Sequence, residues 1–91
     1  MPKDLLTIPT EYDKYLEIGC GQGIDSFYIC NNLNKEAKFI AIDFSSESIR
    51  RASGYIDEAK KLFDLQVVPE FLHGDALSLR FNSGEFDFIY S

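Results

Sequence analysis

Between Tyr15 and Gly23 the chain runs Tyr-Leu-Glu-Ile-Gly-Cys-Gly-Gln-Gly: a short apolar segment holding one acid, three alternating glycines, then a helical pattern. That order describes a strand feeding a helix through a loop that only glycine can make. Two main-chain conformations in such a loop are expected at positive φ, and a missing Cβ lets a ligand touch the backbone directly. The helix that follows points free N–H groups at the same spot, which suits a polar or anionic ligand group. Glycines also serve as plain turn residues, so the loop needs support from the rest of the sequence.

The pattern on either side supplies an order of elements. Lys14 to Ile18 reads as a first strand and Ile24 to Leu33 as a helix, with Phe27, Tyr28, Ile29, Cys30 and Leu33 as its broad apolar surface. Phe39 to Ile42 is a near-continuous apolar run, as expected for a parallel strand covered on both faces. Ser45 suits an N-cap, with Glu47 in the first turn where a carboxylate complements the helix dipole. Ile49, Ala52, Ile56, Ala59 and Phe63 recur at helical spacing, so one helix is expected to run to about Leu62 or Phe63. A third strand lies within Val67 to Leu72; Pro69 demotes it to a sheet edge or moves its start to Glu70. Asn82-Ser83-Gly84 is a turn, and Phe86 to Tyr90 a fourth strand. Strands alternating with helices in this way predict a parallel α/β sheet built from right-handed units. Residues 1–13 read as a lead-in arm and residues 14–91 as one domain.

Composition narrows the function. A chain of 91 residues, 45% hydrophobic, can form one compact unit with a modest core. No apolar run approaches the roughly 18 residues of a membrane span, and Met1-Pro2-Lys3-Asp4 does not open a signal peptide, so the chain is read as cytosolic with no membrane partner. The net charge of −6 argues against nucleic acid, which needs clustered Lys and Arg. Arg50-Arg51 is more simply the solvated face of a helix. Cys20 and Cys30 have neither zinc spacing nor disulfide company and read as buried thiols; no metal site is expected. His73, the single histidine, reads as an ordinary strand-end residue.

In parallel sheets ligands sit beyond the carboxyl ends of the strands. Polar residues gather there: Glu17 to Gly23 after strand one, Asp43-Phe44 after strand two, Gly74-Asp75-Ala76 after strand three. Asp43 follows Gly19 by 24 residues, about right for a carboxylate accepting both hydroxyls of a ribose; its ordinary alternative is an Asp leading the helix beside Ser45. Phe44 could lie against an adenine ring or serve in the core. Asp75 could accept from an adenine amino group while the Ala76 N–H donates, or could cap a short helix. A dinucleotide fingerprint needs glycine where Ile24 stands. Glu17 would also repel a pyrophosphate, whereas it suits an ammonium or sulfonium cation. The pocket is expected to prefer a cationic nucleoside.

These residues resemble the class I S-adenosylmethionine-dependent methyltransferases, a family of Rossmann-like fold. Leu16 to Gly23 is similar to the family's first motif, Ala41-Ile42-Asp43-Phe44-Ser45 to its second, and His73-Gly74-Asp75-Ala76-Leu77 to its adenine-contacting motif. Phe86-Asp87-Phe88-Ile89-Tyr90-Ser91 resembles its fourth strand. The resemblance implies the strand order 3-2-1-4, with the Pro69 strand at the edge. It implies that Glu17 and the backbone of Gly19, Gly21 and Gly23 hold the methionine portion of S-adenosylmethionine. Asp43 binds the ribose hydroxyls, Phe44 packs on adenine, and Asp75 with Ala76 reads its edge.

Family members normally continue with three more strands that carry most of the acceptor pocket, so the resemblance implies a sheet truncated after strand four and catalytic residues beyond Ser91. Little or no activity is expected of this segment alone. Its parent is expected to methylate a small molecule, because the Phe-Asp-Phe-Ile-Tyr-Ser ending is unlike the Asn-Pro-Pro-Tyr pattern of amino-group enzymes. The alternative is a non-catalytic nucleoside-binding or interaction module of the same fold. The short crossover from Leu77 to Glu85 is expected to leave one sheet face bare and an open aromatic edge at Phe86, Phe88 and Tyr90. Self-association through that strand-four edge is expected to follow.

Overall fold

The computed structural model describes residues 8–74 and 84–90. Its elements are β1 (Lys14–Ile18), α1 (Ile24–Cys30), β2 (Lys38–Asp43), α2 (Ser46–Gly54), α3 (Ile56–Leu62), β3 (Glu70–His73) and β4 (Phe88–Tyr90). The four strands form a parallel sheet in the order β3-β2-β1-β4. This is the order the resemblance implied. β3 starts directly after Pro69 and lies at the sheet edge, so the missing proline N–H interrupts no ladder.

Side-chain alternation along the strands divides the core. Tyr15, Phe39, Ala41 and Phe71 pack with Phe27, Ile29 and Cys30 of α1 and with Ile49, Ala52 and Ala59 of α2 and α3. Aromatic rings dominate this face: Phe27 meets Phe71 edge-on at 5.6 Å between ring centroids, and Tyr15 stacks on Phe39 at 6.2 Å. Such pairs add roughly 0.5–1.5 kcal/mol each beyond the area they bury. Leu16, Ile40 and Ile42 point to the opposite face, with Ile18, Leu72 and Phe86 packed against them.

Four expectations need correction. α1 ends at Cys30 rather than Leu33: the Asn31 N–H makes the last four-residue helical bond, to the Phe27 carbonyl, and the Asn32 N–H tightens onto the Ile29 carbonyl three residues back. Its apolar surface is also narrower, since Tyr28 is exposed while Ser26 is buried. The single long helix is two, interrupted at Tyr55 after Gly54, the weakest helix former in the run. The Tyr55 N–H still reaches the Arg51 carbonyl at 3.1 Å, so the break preserves the phase of the buried stripe. Finally, the second sheet face is bare only in part: Leu16, Ile40 and Ile42 are at most 5% exposed, while Ile89, beside Leu16 on the same face, is 54% exposed.

β4 is shorter than expected, starting at Phe88, and on it Ile89 is the exposed apolar side chain. Of the expected turn at 82–84 only Gly84 is described, at positive φ. The lead-in segment is tied down over its described part. The Tyr15 hydroxyl donates to the Pro9 carbonyl at 2.7 Å, and the Lys38 N–H donates to the Asp13 carbonyl.

Candidate functional site

The glycine loop is held at the carboxyl end of the sheet by β2. The N–H groups of Gly19 and Cys20 both donate to the Ile42 carbonyl, at 2.8 and 3.1 Å. One residue further along, the Asp43 carboxylate accepts the Gly21 N–H on one oxygen and the Ser45 N–H on the other, each at 2.8 Å. Asp43 therefore fixes the loop after β1 to the start of α2. A carboxylate has about four acceptor sites, so each oxygen keeps capacity for a further donor.

All three loop glycines have positive φ, one more than expected, but they divide by surroundings. A Cβ built on Gly19 or Gly21 meets nothing within 4 Å, so their main chain borders open space. A Cβ on Gly23 would lie 2.7 Å from Phe71 Cζ and 3.1 Å from the Ala52 Cβ. Gly23 is thus required where α1 begins against β3 and α2, as a packing glycine.

Glu17 and Asp43 lie on the same side of the sheet, because Glu17 pairs with Ala41 and Asp43 is two residues on. They differ in exposure. Glu17 is fully buried and accepts a hydrogen bond from the Ser26 hydroxyl, itself buried in α1. Tyr90 is its register partner across β4. Burial, with the Glu17 carboxylate and the Cys30 thiol nearby, pushes the Tyr90 phenol well above its ordinary range, so it stays protonated. The same two causes, burial first and Glu17 second, raise the Cys30 thiol and leave it inert. Ser26 was missed in the sequence, although a serine sharing a helical face with Gly23, Phe27 and Cys30 is a usable signal.

Phe44 follows Asp43 and is 77% exposed, a bare ring beside the loop. Its carbonyl accepts from His73 Nε2 at 2.9 Å, and the Gly74 N–H donates to the Asp43 carbonyl at 3.0 Å. These bonds carry the site onto β3. Asp75 and Ala76 lie outside the described residues.

On the outside of α2, Arg50 grips Glu47 through Nε and an Nη, at 3.0 and 2.6 Å, while Arg51 reaches it at 3.1 Å. The Arg50 hydrogen bond comes first among the causes that hold the Glu47 carboxyl down at about 2. The basic pair is therefore satisfied on the helix surface. A separate groove of 260 Å³ between α1 and α3 is lined by Gln22, Ile24, Phe27, Tyr55, Leu62 and Phe63, among others. Among the described residues no cluster of metal-ligating side chains forms, and no helix is long and apolar enough to cross a membrane.

Comparison with known proteins agrees with this geometry. Residues 16–91 match the methyltransferase domain family. The demethylmenaquinone methyltransferase of Lactococcus lactis is 33% identical over 75 residues, covering 81% of this chain and 27% of that protein. The chain thus spans about a quarter of that curated relative. An S-adenosylmethionine-dependent methyltransferase from Methanosarcina mazei superposes with a TM-score of 0.72 at 30% identity, over 90% of this chain and 37% of that one. The plantazolicin methyltransferase BpumL, solved with a triazolic desmethyl analogue and S-adenosylhomocysteine, superposes at 0.65 with 28% identity, over 92% and 28%. The domain match, the strand order and these likenesses agree: the chain belongs to the class I S-adenosylmethionine-dependent methyltransferase family.

Proposed function

We propose that residues 14–91 form the S-adenosylmethionine-binding portion of a methyltransferase whose parent enzyme methylates a small molecule. The observation that carries this is the Asp43 junction. One carboxylate anchors Gly21, beside a loop main chain bordering open space and next to an exposed aromatic ring.

The residues present fit the cofactor. Asp43 retains acceptor capacity for the two ribose hydroxyls, and Phe44 offers a flat apolar surface to adenine. The main chain of Gly19 and Gly21 borders the methionine portion, while Gly23 secures the start of α1. Glu17, buried on the Asp43 side of the sheet, contributes a negative field that favours a cation and disfavours a pyrophosphate. Asp75 and Ala76 are assigned the adenine edge on sequence grounds. When bound, S-adenosylmethionine supplies an electrophilic methyl group on its sulfonium. The described residues bind and orient; alignment and deprotonation of the acceptor are assigned to none of them, and the segment alone is proposed to be inactive.

A small acceptor is supported by the relatives named for demethylmenaquinone and plantazolicin. A cytoplasmic location fits the same reading. The position of β4 at the sheet edge, with Ile89 54% exposed, supports self-association there.

Calorimetric titration tests the assignment. S-adenosylmethionine and S-adenosylhomocysteine are expected to bind saturably and NAD not at all. NAD binding without the other two would mean an oxidoreductase-type site, and no binding of any would favour a scaffold module.

A further inference from the structure

We infer that His73 is a positioning residue for the adenine subsite, acting through the backbone of Phe44; this rests on the cofactor reading above. Asp43 and His73 are register partners on β2 and β3, so the histidine side chain stands beside the point where the chain leaves β2. From there its Nε2 spans 29 residues of sequence to reach the Phe44 carbonyl at 2.9 Å. A carbonyl only accepts, so Nε2 carries the hydrogen. The neutral tautomer protonated at Nε2 and the imidazolium both supply that donor, so the bond does not depend on the charge of the ring.

The bond matters because it ties the Phe44–Ser45 peptide to β3, whereas the Asp43 carboxylate holds that peptide's N–H from within the same loop. The Phe44 ring is 77% exposed, and because the rotamers open to a side chain depend on φ and ψ, holding the Phe44 backbone limits where that ring can stand. The preceding residue is anchored twice, through the Asp43 carboxylate and through the Gly74 N–H on the Asp43 carbonyl. His73 adds a hold on the carbonyl side of the peptide whose N–H Asp43 already holds, at the residue assigned to the base. It also joins the loop after β2 to the end of β3, which leads into Asp75 and Ala76. Ordering the Phe44 side of the site before the ligand arrives reduces the entropy lost on binding.

The test is S-adenosylhomocysteine affinity, by calorimetry, in wild type, His73→Ala, His73→Gln, His73→Asn, Phe44→Ala and the double variant His73→Ala/Phe44→Ala. His73→Ala is expected to raise Kd about five- to ten-fold, the weight of one hydrogen bond. His73→Gln, whose amide nitrogen falls near the position of Nε2, should return to within about twofold of wild type, and the shorter His73→Asn should not. On the Phe44→Ala background, removing His73 should change Kd by less than about twofold, because the two residues act as one unit. Equal losses on both backgrounds, or no rescue by Gln, would reduce His73 to general structural support and overturn the inference. Unchanged affinity in His73→Ala would overturn it as well, with the cofactor reading intact. Absence of binding by the wild type would remove the cofactor reading itself, and the inference with it.

Discussion

Asp43→Ala is expected to weaken S-adenosylhomocysteine binding by about 1.5–3 kcal/mol, roughly ten- to 150-fold, as charge-assisted hydrogen bonds to the ribose are lost. The loss has a second source in the structure. The same carboxylate holds the Gly21 and Ser45 N–H groups, so its removal also frees the loop proposed to border the methionine portion. Asp43→Asn should not restore affinity, because an amide has one acceptor oxygen where the site uses two. Isothermal titration of the three proteins checks this. An affinity within twofold of wild type for Asp43→Ala would mean that the ribose is bound elsewhere.

The second large effect falls on stability. Gly23→Ala places a side chain in a left-handed conformation at φ 87° and drives its Cβ to 2.7 Å from the Phe71 ring. Left-handed backbone strain and overpacking together should cost about 2–5 kcal/mol. For a domain of this size that lowers the melting temperature by roughly 10–30 °C. Gly21→Ala shares only the first cost, since its Cβ would enter open space, and should lose about 1–2 kcal/mol. Thermal unfolding followed by circular dichroism distinguishes them. Equal melting temperatures for the two variants would refute the division of the loop into ligand-facing and packing glycines.

The sequence shows the sheet well because its signals are local. An apolar run such as Phe39 to Ile42, a proline before Glu70 and alternating glycines each constrain a few neighbouring residues, and their order specifies the topology. Pro69 is informative because a missing N–H is tolerated at an edge or ahead of a strand, and β3 lies at the edge and starts at Glu70. Features that depend on distant partners were not visible. The interruption at Tyr55 hardly disturbs the apolar repeat, since it keeps the helical phase. Burial of Leu16, Ile40 and Ile42 could not be read from the length of a crossover. The His73 bond to Phe44 joins residues 29 apart, with no periodicity to announce it. Asp43 was legible as a ligand candidate but not as the anchor of Gly21, because side-chain to backbone bonds leave no mark on spacing.

The account stands on a nucleoside site shared by the loop after β1 and the ends of β2 and β3. Amide chemical-shift mapping by two-dimensional NMR during addition of S-adenosylhomocysteine tests that claim most directly. Saturable shifts should concentrate at Gly19, Cys20, Gly21, Asp43, Phe44 and Gly74, with the surface of α3 around Lys60 and Lys61 unmoved. Shifts confined to the groove lined by Ile24, Tyr55 and Leu62, with Gly21 and Asp43 unperturbed at saturation, would contradict it.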